Sequence, residues 1–152
     1  MQSTPYFSFR LGETLLGLPA KQVFEVSRTA ELTRLPFAEP HVLGLINLRG
    51  TLAVGIDLVR CLHMRPVALP TQAADDGHLW VFVQSHQGLL GLRVDAVCDI
   101  HAVQPKDLAA TPVDMEGVLG RMVCATVALP GALLHVLSLD DVPLQSAPAA
   151  LA

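Results

Sequence analysis

The chain has 152 residues, 51% of them apolar and 16% charged, with a net charge of −4 at pH 7. That length allows one domain or two small lobes sharing a core, and small lobes cannot hide so much apolar surface, so part of it is expected to face partners. The acidic balance and the scattering of ten basic residues argue against a protein that wraps nucleic acid.

Residues 6–11 are rich in aromatics, Gly12-Glu13 makes a turn, and residues 14–18 return, which predicts a hairpin. A turn of helix is expected over residues 20–24, leading into extended chain over 23–28. Pro36 and Pro40 fix backbone φ and remove donors, so residues 35–40 read as a rigid surface loop. Residues 42–48 and 51–58 flank a turn at Arg49-Gly50, and a short helical stretch follows over 58–62. Residues 65–78, with Pro66, Pro70, Asp75, Asp76 and Gly77, form a connector. A second opening hairpin is predicted over 79–85 and 89–94 about His86-Gln87-Gly88, with further extended chain to Val103. A long loop over 105–117 precedes a hairpin within 118–139, a capping segment over 139–144, and a flexible tail over 145–152. Short strands with turn signals at a spacing of roughly 8–12 residues indicate an all-β barrel or sandwich.

The chain also contains itself twice. Residues 15–26 lie over 89–100 without a gap, and five of the twelve pairs are identical. A second match lays 42–58 over 123–139 and pairs Gly50 with Gly131. The first copy is therefore placed at about 7–58 and the second at about 81–139, as two lobes of one domain spanning 6–144. Features common to both copies are expected to serve the fold. Features of one copy alone are candidates for function.

The matched turns differ in this way. The first reads Asn47-Leu48-Arg49-Gly50, the second Ala128-Leu129-Pro130-Gly131. Glycine in both marks a backbone position with positive φ, and Pro-Gly is the signature of a type II turn. By the same geometry Arg49 is expected at an exposed corner, with neither Asn47 nor Arg49 needed to form the turn. An arginine there is either a solvated side chain or a planar fork for a carboxylate or backbone carbonyls. Glu25 is its natural partner within the chain. Asn47 either bonds its own turn or meets a partner. Val23, matched by Val97, is either core or contact, and Gly44 and Gly50 read as structural. Asp95 and Asp99 either cap and solvate a strand end or touch a partner.

No pattern for chemistry emerges. Six histidines stand singly, without the spacing of metal ligands, and no nucleophile elbow, phosphate loop or dinucleotide motif is present. An aspartic-protease arrangement fails because Asp57 is matched by Ser138, and neither lies in Asp-Thr-Gly. Cys61, Cys98 and Cys124 are far apart, and an odd number without a leader pattern reads as reduced, inert, buried thiols. Residues 122–139 lack formal charge over a nominally membrane-spanning length, but Pro130-Gly131 divides them into two pieces of strand length.

With Val42-Leu43-Gly44-Leu45-Ile46 before the Asn47-Leu48-Arg49-Gly50 turn and Ile56-Asp57-Leu58 after it, the sequence resembles the CheW domain family of bacterial chemosensory adaptors. The Leu16-Gly17-Leu18-Pro19 and Val23-Phe24-Glu25-Val26 segments match as well. So does the run Leu90-Gly91-Leu92-Arg93-Val94-Asp95-Ala96-Val97-Cys98-Asp99-Ile100, and the likeness extends from about Phe7 to Val142. The resemblance implies two intertwined five-stranded SH3-like barrels with a short helical segment, and no catalysis, cofactor or metal. It implies an adaptor in the cytoplasm, peripheral at receptor arrays and not inserted in the membrane. The partners implied are the cytoplasmic tip of a chemoreceptor and the regulatory domain of a CheA-type histidine kinase. In the family the receptor tip docks between the lobes, near the positions of Val23, Glu25, Asn47, Arg49 and Gly50, and kinase contact uses the lobe ends. The candidate partner-binding set is thus Val23, Glu25, Gly44, Asn47, Arg49, Gly50, Asp95 and Asp99.

Two departures stand against the resemblance. Ala53-Val54-Gly55 replaces the family's Val-Pro-Val/Ile run, and the 105–117 loop is shorter than is common. These bear on which system is served, with pilus motility or biofilm control as the alternative to chemotaxis. A nucleic-acid-binding SH3-like module is the alternative of another class, and the acidic balance and seven aromatics oppose it.

Overall fold

The computed structural model describes residues 3–36, 39–62, 79–109, 122–139 and 142. The expected connector over 65–78, the 105–117 loop beyond residue 109, most of the capping segment and the 145–152 tail lie outside the described residues.

The strands in chain order are β1 (Thr4–Leu11), β2 (Thr14–Pro19), β3 (Val23–Ser27), β4 (Leu32–Thr33), β5 (Val42–Leu48) and β6 (Thr51–Asp57). After the one-turn helix α1 (Leu58–Cys61) come β7 (Leu79–Ser85), β8 (Gly88–Val94), β9 (Ala96–Val103), β10 (Leu108–Ala109), β11 (Val123–Leu129) and β12 (Ala132–Leu137). A 3₁₀ turn at Ala20–Gln22 occupies the place where a turn of helix was expected. Asp57 starts α1 because its carboxylate accepts from the Arg60 N–H at 3.4 Å, satisfying one of the free donors of the first turn. The uncharged run at 122–139 is the β11–β12 hairpin rather than a span, and no described helix is long and apolar enough to cross a membrane.

Among the described residues two six-stranded sheets result, ordered β10-β11-β12-β2-β1-β9 and β3-β7-β8-β6-β5-β4. Each has five longer strands and one strand of two residues, in agreement with intertwined five-stranded barrels. The copies are interlaced. The first sheet takes β1 and β2 from the first copy and its other strands from the second, and the second sheet does the reverse. Matched strands occupy matched places, and even the register repeats. Gly55 lies opposite Gly91 in the parallel β6–β8 pair, as the matched Val136 lies opposite Gly17 in β12–β2.

This exchange puts most of the apolar surface between the sheets. Phe7, Phe9, Leu16 and Leu18 of one sheet and Ile56, Val81, Val83, Leu90 and Leu92 of the other form a single buried cluster. Each such side chain, fully buried, contributes about 1.5–3 kcal/mol. Ile46, Ala53, Trp80, Phe82 and Leu89 fill the interior of the second sheet, and Val103, Val127, Leu134 and Val136 that of the first. Gly55 does not loosen its strand. A Cβ there would lie 3.1 Å from Leu32 and 3.2 Å from Ile46, so glycine permits the close packing.

Candidate functional site

Along β3 Val23, Glu25 and Ser27 are half-buried, and Phe24 and Val26 are exposed. A bulge between Val23 and Glu25 shifts the register, so that Val23 pairs with Val83 of the central core and Glu25 with Phe82 of the second sheet's interior. The outcome inverts the usual pattern, with the carboxylate inward and Phe24 62% exposed.

The β5–β6 hairpin closes on a loop of two residues, since Leu48 pairs with Thr51. Both loop residues have positive φ, 52° at Arg49 and 89° at Gly50, the pattern of a type I′ turn. Such a turn matches the twist of the flanking strands, but the left-handed region costs a residue with a Cβ about 1–2 kcal/mol. Asn47 contributes directly to the turn, because its Oδ1 accepts the Gly50 N–H at 2.8 Å. Of the two expectations for Asn47, the bond to its own turn is present, and the loop differs from the matched type II form in that its second N–H finds an acceptor in that side chain. The matched loop keeps the expected form, with positive φ only at Gly131 (78°), where Pro130 holds the first corner.

Arg49 Nη1 lies 3.2 Å from Glu25 Oε1, with side-chain exposures of 79% and 21%. In the sheet, β3 is three strand spacings from β6, about 14 Å if flat, so the sheet must curl for the two to meet. An ion pair this exposed adds about 0–1 kcal/mol, and its effect is on orientation. One guanidinium nitrogen engages the carboxylate, and the cation stands largely in solvent at the hairpin tip.

Gly44 also has a structural role. Its φ of 150° sits at a bulge between Val42 and Gly44, and an added Cβ would overlap the Thr33 carbonyl oxygen. Val23 packs against the central core while remaining partly exposed. These five positions and Gly50 belong to one sheet.

Asp95 and Asp99 belong to the other. Asp95 Oδ2 accepts the Gly12 N–H at 2.6 Å and its own N–H bonds Arg10, so it ties the β1–β2 tip to the start of β9. Asp99 on β9 is the counterpart of Glu25, and among the described residues its carboxylate has no ion pair. Its backbone is held instead by the fully buried Ser8, whose Oγ donates to the Asp99 carbonyl at 2.8 Å and accepts its N–H at 3.0 Å. Among the described residues no hydrogen bond or ion pair joins Asp95 or Asp99 to the Arg49 group.

Several residues of this surface escape the sequence reading. Phe24, Val26 and Leu52 are exposed, and Leu52 is the cross-strand neighbour of Asn47. Val26 and Leu52 are matched by Ile100 and Leu133, likewise exposed. An apolar residue kept in both copies but out of phase with the core is the signal that finds them. Of the three cysteines, one meets the expectation of burial and two do not. Cys61 is buried, and burial, with the Asp57 charge second, pushes its thiol up to about 11. Cys98 is half-buried and Cys124 exposed, because neither position faces the central core. His135, matched by Val54, is partly buried, which lowers its pKa, and its Nδ1 has no hydrogen-bond partner among the described residues.

Residues 5–143 match the sequence profile of the CheW-like domain. The chain is 33% identical over 138 residues to the chemotaxis protein CheW of Rhizobium meliloti (strain 1021), covering 89% of this chain and 84% of that one. It is 39% identical over 108 residues to protein FrzA of Myxococcus xanthus, covering 71% and 64%. Its fold superposes on the crystal structure of the scaffolding protein TtCheW from Thermoanaerobacter tengcongensis with a TM-score of 0.79, covering 92% of this chain and 91% of that one at 22% identity. Interlaced matched sheets, the Asn-Leu-Arg-Gly tip and these likenesses agree, and the chain belongs to the CheW-like domain family.

Proposed function

We propose that this chain is a non-catalytic adaptor that couples the cytoplasmic tip of a chemoreceptor to a CheA-type histidine kinase, working in the cytoplasm at receptor arrays. The observation that carries the reading is the Arg49–Glu25 pair at a hairpin tip whose matched tip, Pro130-Gly131, has no cation. Val23, Glu25 and Arg49 form the receptor-facing surface, with Phe24 and Leu52 as apolar contacts beside them, and Asn47 shapes the tip that carries Arg49. Gly44 and Gly50 act through the backbone they permit. Asp95 and Asp99 lie toward the other lobe, where Ile100 and Leu133 offer a kinase domain of similar fold an apolar place.

Occupancy of the two surfaces is linked. If receptor binding changes affinity for the kinase by some factor, kinase binding changes affinity for the receptor by the same factor. The test is co-sedimentation with receptor-containing membranes, with and without the kinase, comparing wild type with Arg49→Glu. Wild type is expected to sediment and recruit kinase, and the reversed charge to lower receptor binding by at least about tenfold. Equal sedimentation of a folded Arg49→Glu protein sinks the assignment of this surface. A second reading places the same adaptor in a pilus-motility or biofilm system, and the likeness to FrzA, a relative not named CheW, is what supports considering it. Which of an organism's kinases is recruited in that assay separates the two.

A further inference from the structure

We infer that Asn47 is a positioning residue: it holds Arg49 in its left-handed corner so that the guanidinium meets Glu25, and it acts on the receptor through Arg49 rather than by touch. The inference rests on the adaptor reading above.

A backbone with a Cβ disfavours the left-handed region by about five- to thirtyfold, so Arg49 at φ 52° needs something to hold it. Glycine at the next position removes half of the difficulty, as it does in the matched loop. What the first loop has and the second lacks is an acceptor two residues before the corner. Asn47 Oδ1 takes the Gly50 N–H at 2.8 Å, spanning Arg49 from one side to the other. In the second loop Ala128 has no acceptor to offer, and Pro130 has no left-handed corner to hold. The two substitutions therefore go together for a physical reason.

The handedness of the corner decides where the side chain goes. Reversing the sign of φ at Arg49 swings its Cα–Cβ bond to another side of the tip, away from the curled-over β3 and Glu25. The 3.2 Å ion pair and the 2.8 Å hydrogen bond then report one conformation. Asn47 presents its Oδ1 inward to this purpose, while its Nδ2 donates to nothing among the described residues. That free amide is the group a direct contact would use, and it lets the two roles be told apart.

The experiment compares Asn47→Ala and Asn47→Asp with wild type, measuring sedimentation with chemoreceptor-bearing vesicles and hydrogen exchange at the Gly50 amide. Aspartate keeps the acceptor and removes the Nδ2 donor. Asn47→Ala is expected to weaken binding about three- to tenfold and speed Gly50 exchange, while Asn47→Asp stays within about twofold of wild type in both. The inference is overturned if Asn47→Asp binds as weakly as Asn47→Ala while its Gly50 amide remains protected, which identifies a direct contact. It is equally overturned if Asn47→Ala changes neither quantity. Should wild type bind no receptor vesicle, the adaptor reading fails, and Gly50 exchange alone still decides whether Asn47 holds the turn.

Discussion

The Arg49-Gly50 and Pro130-Gly131 tips close matched strand pairs with loops of equal length, and each ends on a glycine of positive φ. The second is built from residues that need no help. The first places an arginine where its backbone is disfavoured, bonds the next N–H with a side chain, and sets the cation against a carboxylate. In the second copy Asp99 keeps the carboxylate, and among the described residues it has no ion pair. Conformational cost taken on in one copy and avoided in the other is cost that the shared fold does not require.

The comparison can be broken most severely inside the sheets. Gly44 and Ala125 occupy matched bulges, but only Gly44 has positive φ and a carbonyl against it. Gly44→Ala is expected to cost on the order of 3 kcal/mol in chemical denaturation, whereas Ala125→Gly costs about 0.5–1 kcal/mol. Equal costs would mean that the two bulges are interchangeable.

Next in size is an alkaline asymmetry. Cys61 and Val142 each lie three residues beyond the matched Leu58 and Leu139, and both are buried. The Cys61 thiol stays protonated in the fold up to about 11, against an ordinary value of 9.0 once unfolded. Between those values the unfolded chain has lost a proton that the fold retains, so stability falls as pH rises through this window. The loss is about 2–3 kcal/mol in all. Cys61→Val, which copies the second lobe, is expected to remove that part of the alkaline loss in melts recorded from pH 8 to 11, a range set by about one unit on the acid side of the window. An unchanged pH profile would place the thiol in contact with water.

The smallest effect sharpens the comparison by construction. Ala128→Asn with Pro130→Arg writes Asn-Leu-Arg-Gly into the second tip, on the sheet that carries Asp99. A new pair with Asp99 is expected to change stability by less than about 1 kcal/mol, and the Gly131 amide should gain protection from exchange. Pro130→Arg alone should not protect it. If the single and double variants behave alike, asparagine is not what fixes the corner.

Much of this fold was legible in residue order. Turn glycines, the hairpins at 6–18 and 79–94, and the two matched tips follow from local chemistry, which the strands retain in the structure. The interlacing is a different matter. Leu16 pairs with His135 in the folded chain, and the matched strand of its own copy, β6, offers apolar Val54 in that role. Periodicity does not distinguish two equally suitable partners, and the intertwined arrangement came from the family resemblance. The register of β3 was hidden for another reason. A bulge between Val23 and Glu25 shifts it, and nothing in Val23-Phe24-Glu25-Val26 marks that bulge. Asn47 and Arg49 were picked out as a difference between copies, but the bond from Gly50 to Asn47 depends on the sign of φ at Arg49, which residue type does not set.

The exchange of hairpins between the sheets has a consequence for biosynthesis. The sheet holding β3 to β8 has all its strands once residue 94 is made, while β1 and β2 must wait for strands that end at Leu137. On the ribosome one sheet can therefore close early, with its inner face, Ile56, Val81, Leu90 and Leu92 among others, still wet. The first hairpin translated is among the last to find its neighbours, across more than a hundred residues of chain between Leu15 and Leu134. Long-range closure of this kind is slow. A nascent chain stalled shortly after β8 would expose an apolar sheet face beside an unpaired hairpin, the form in which this protein most needs a chaperone.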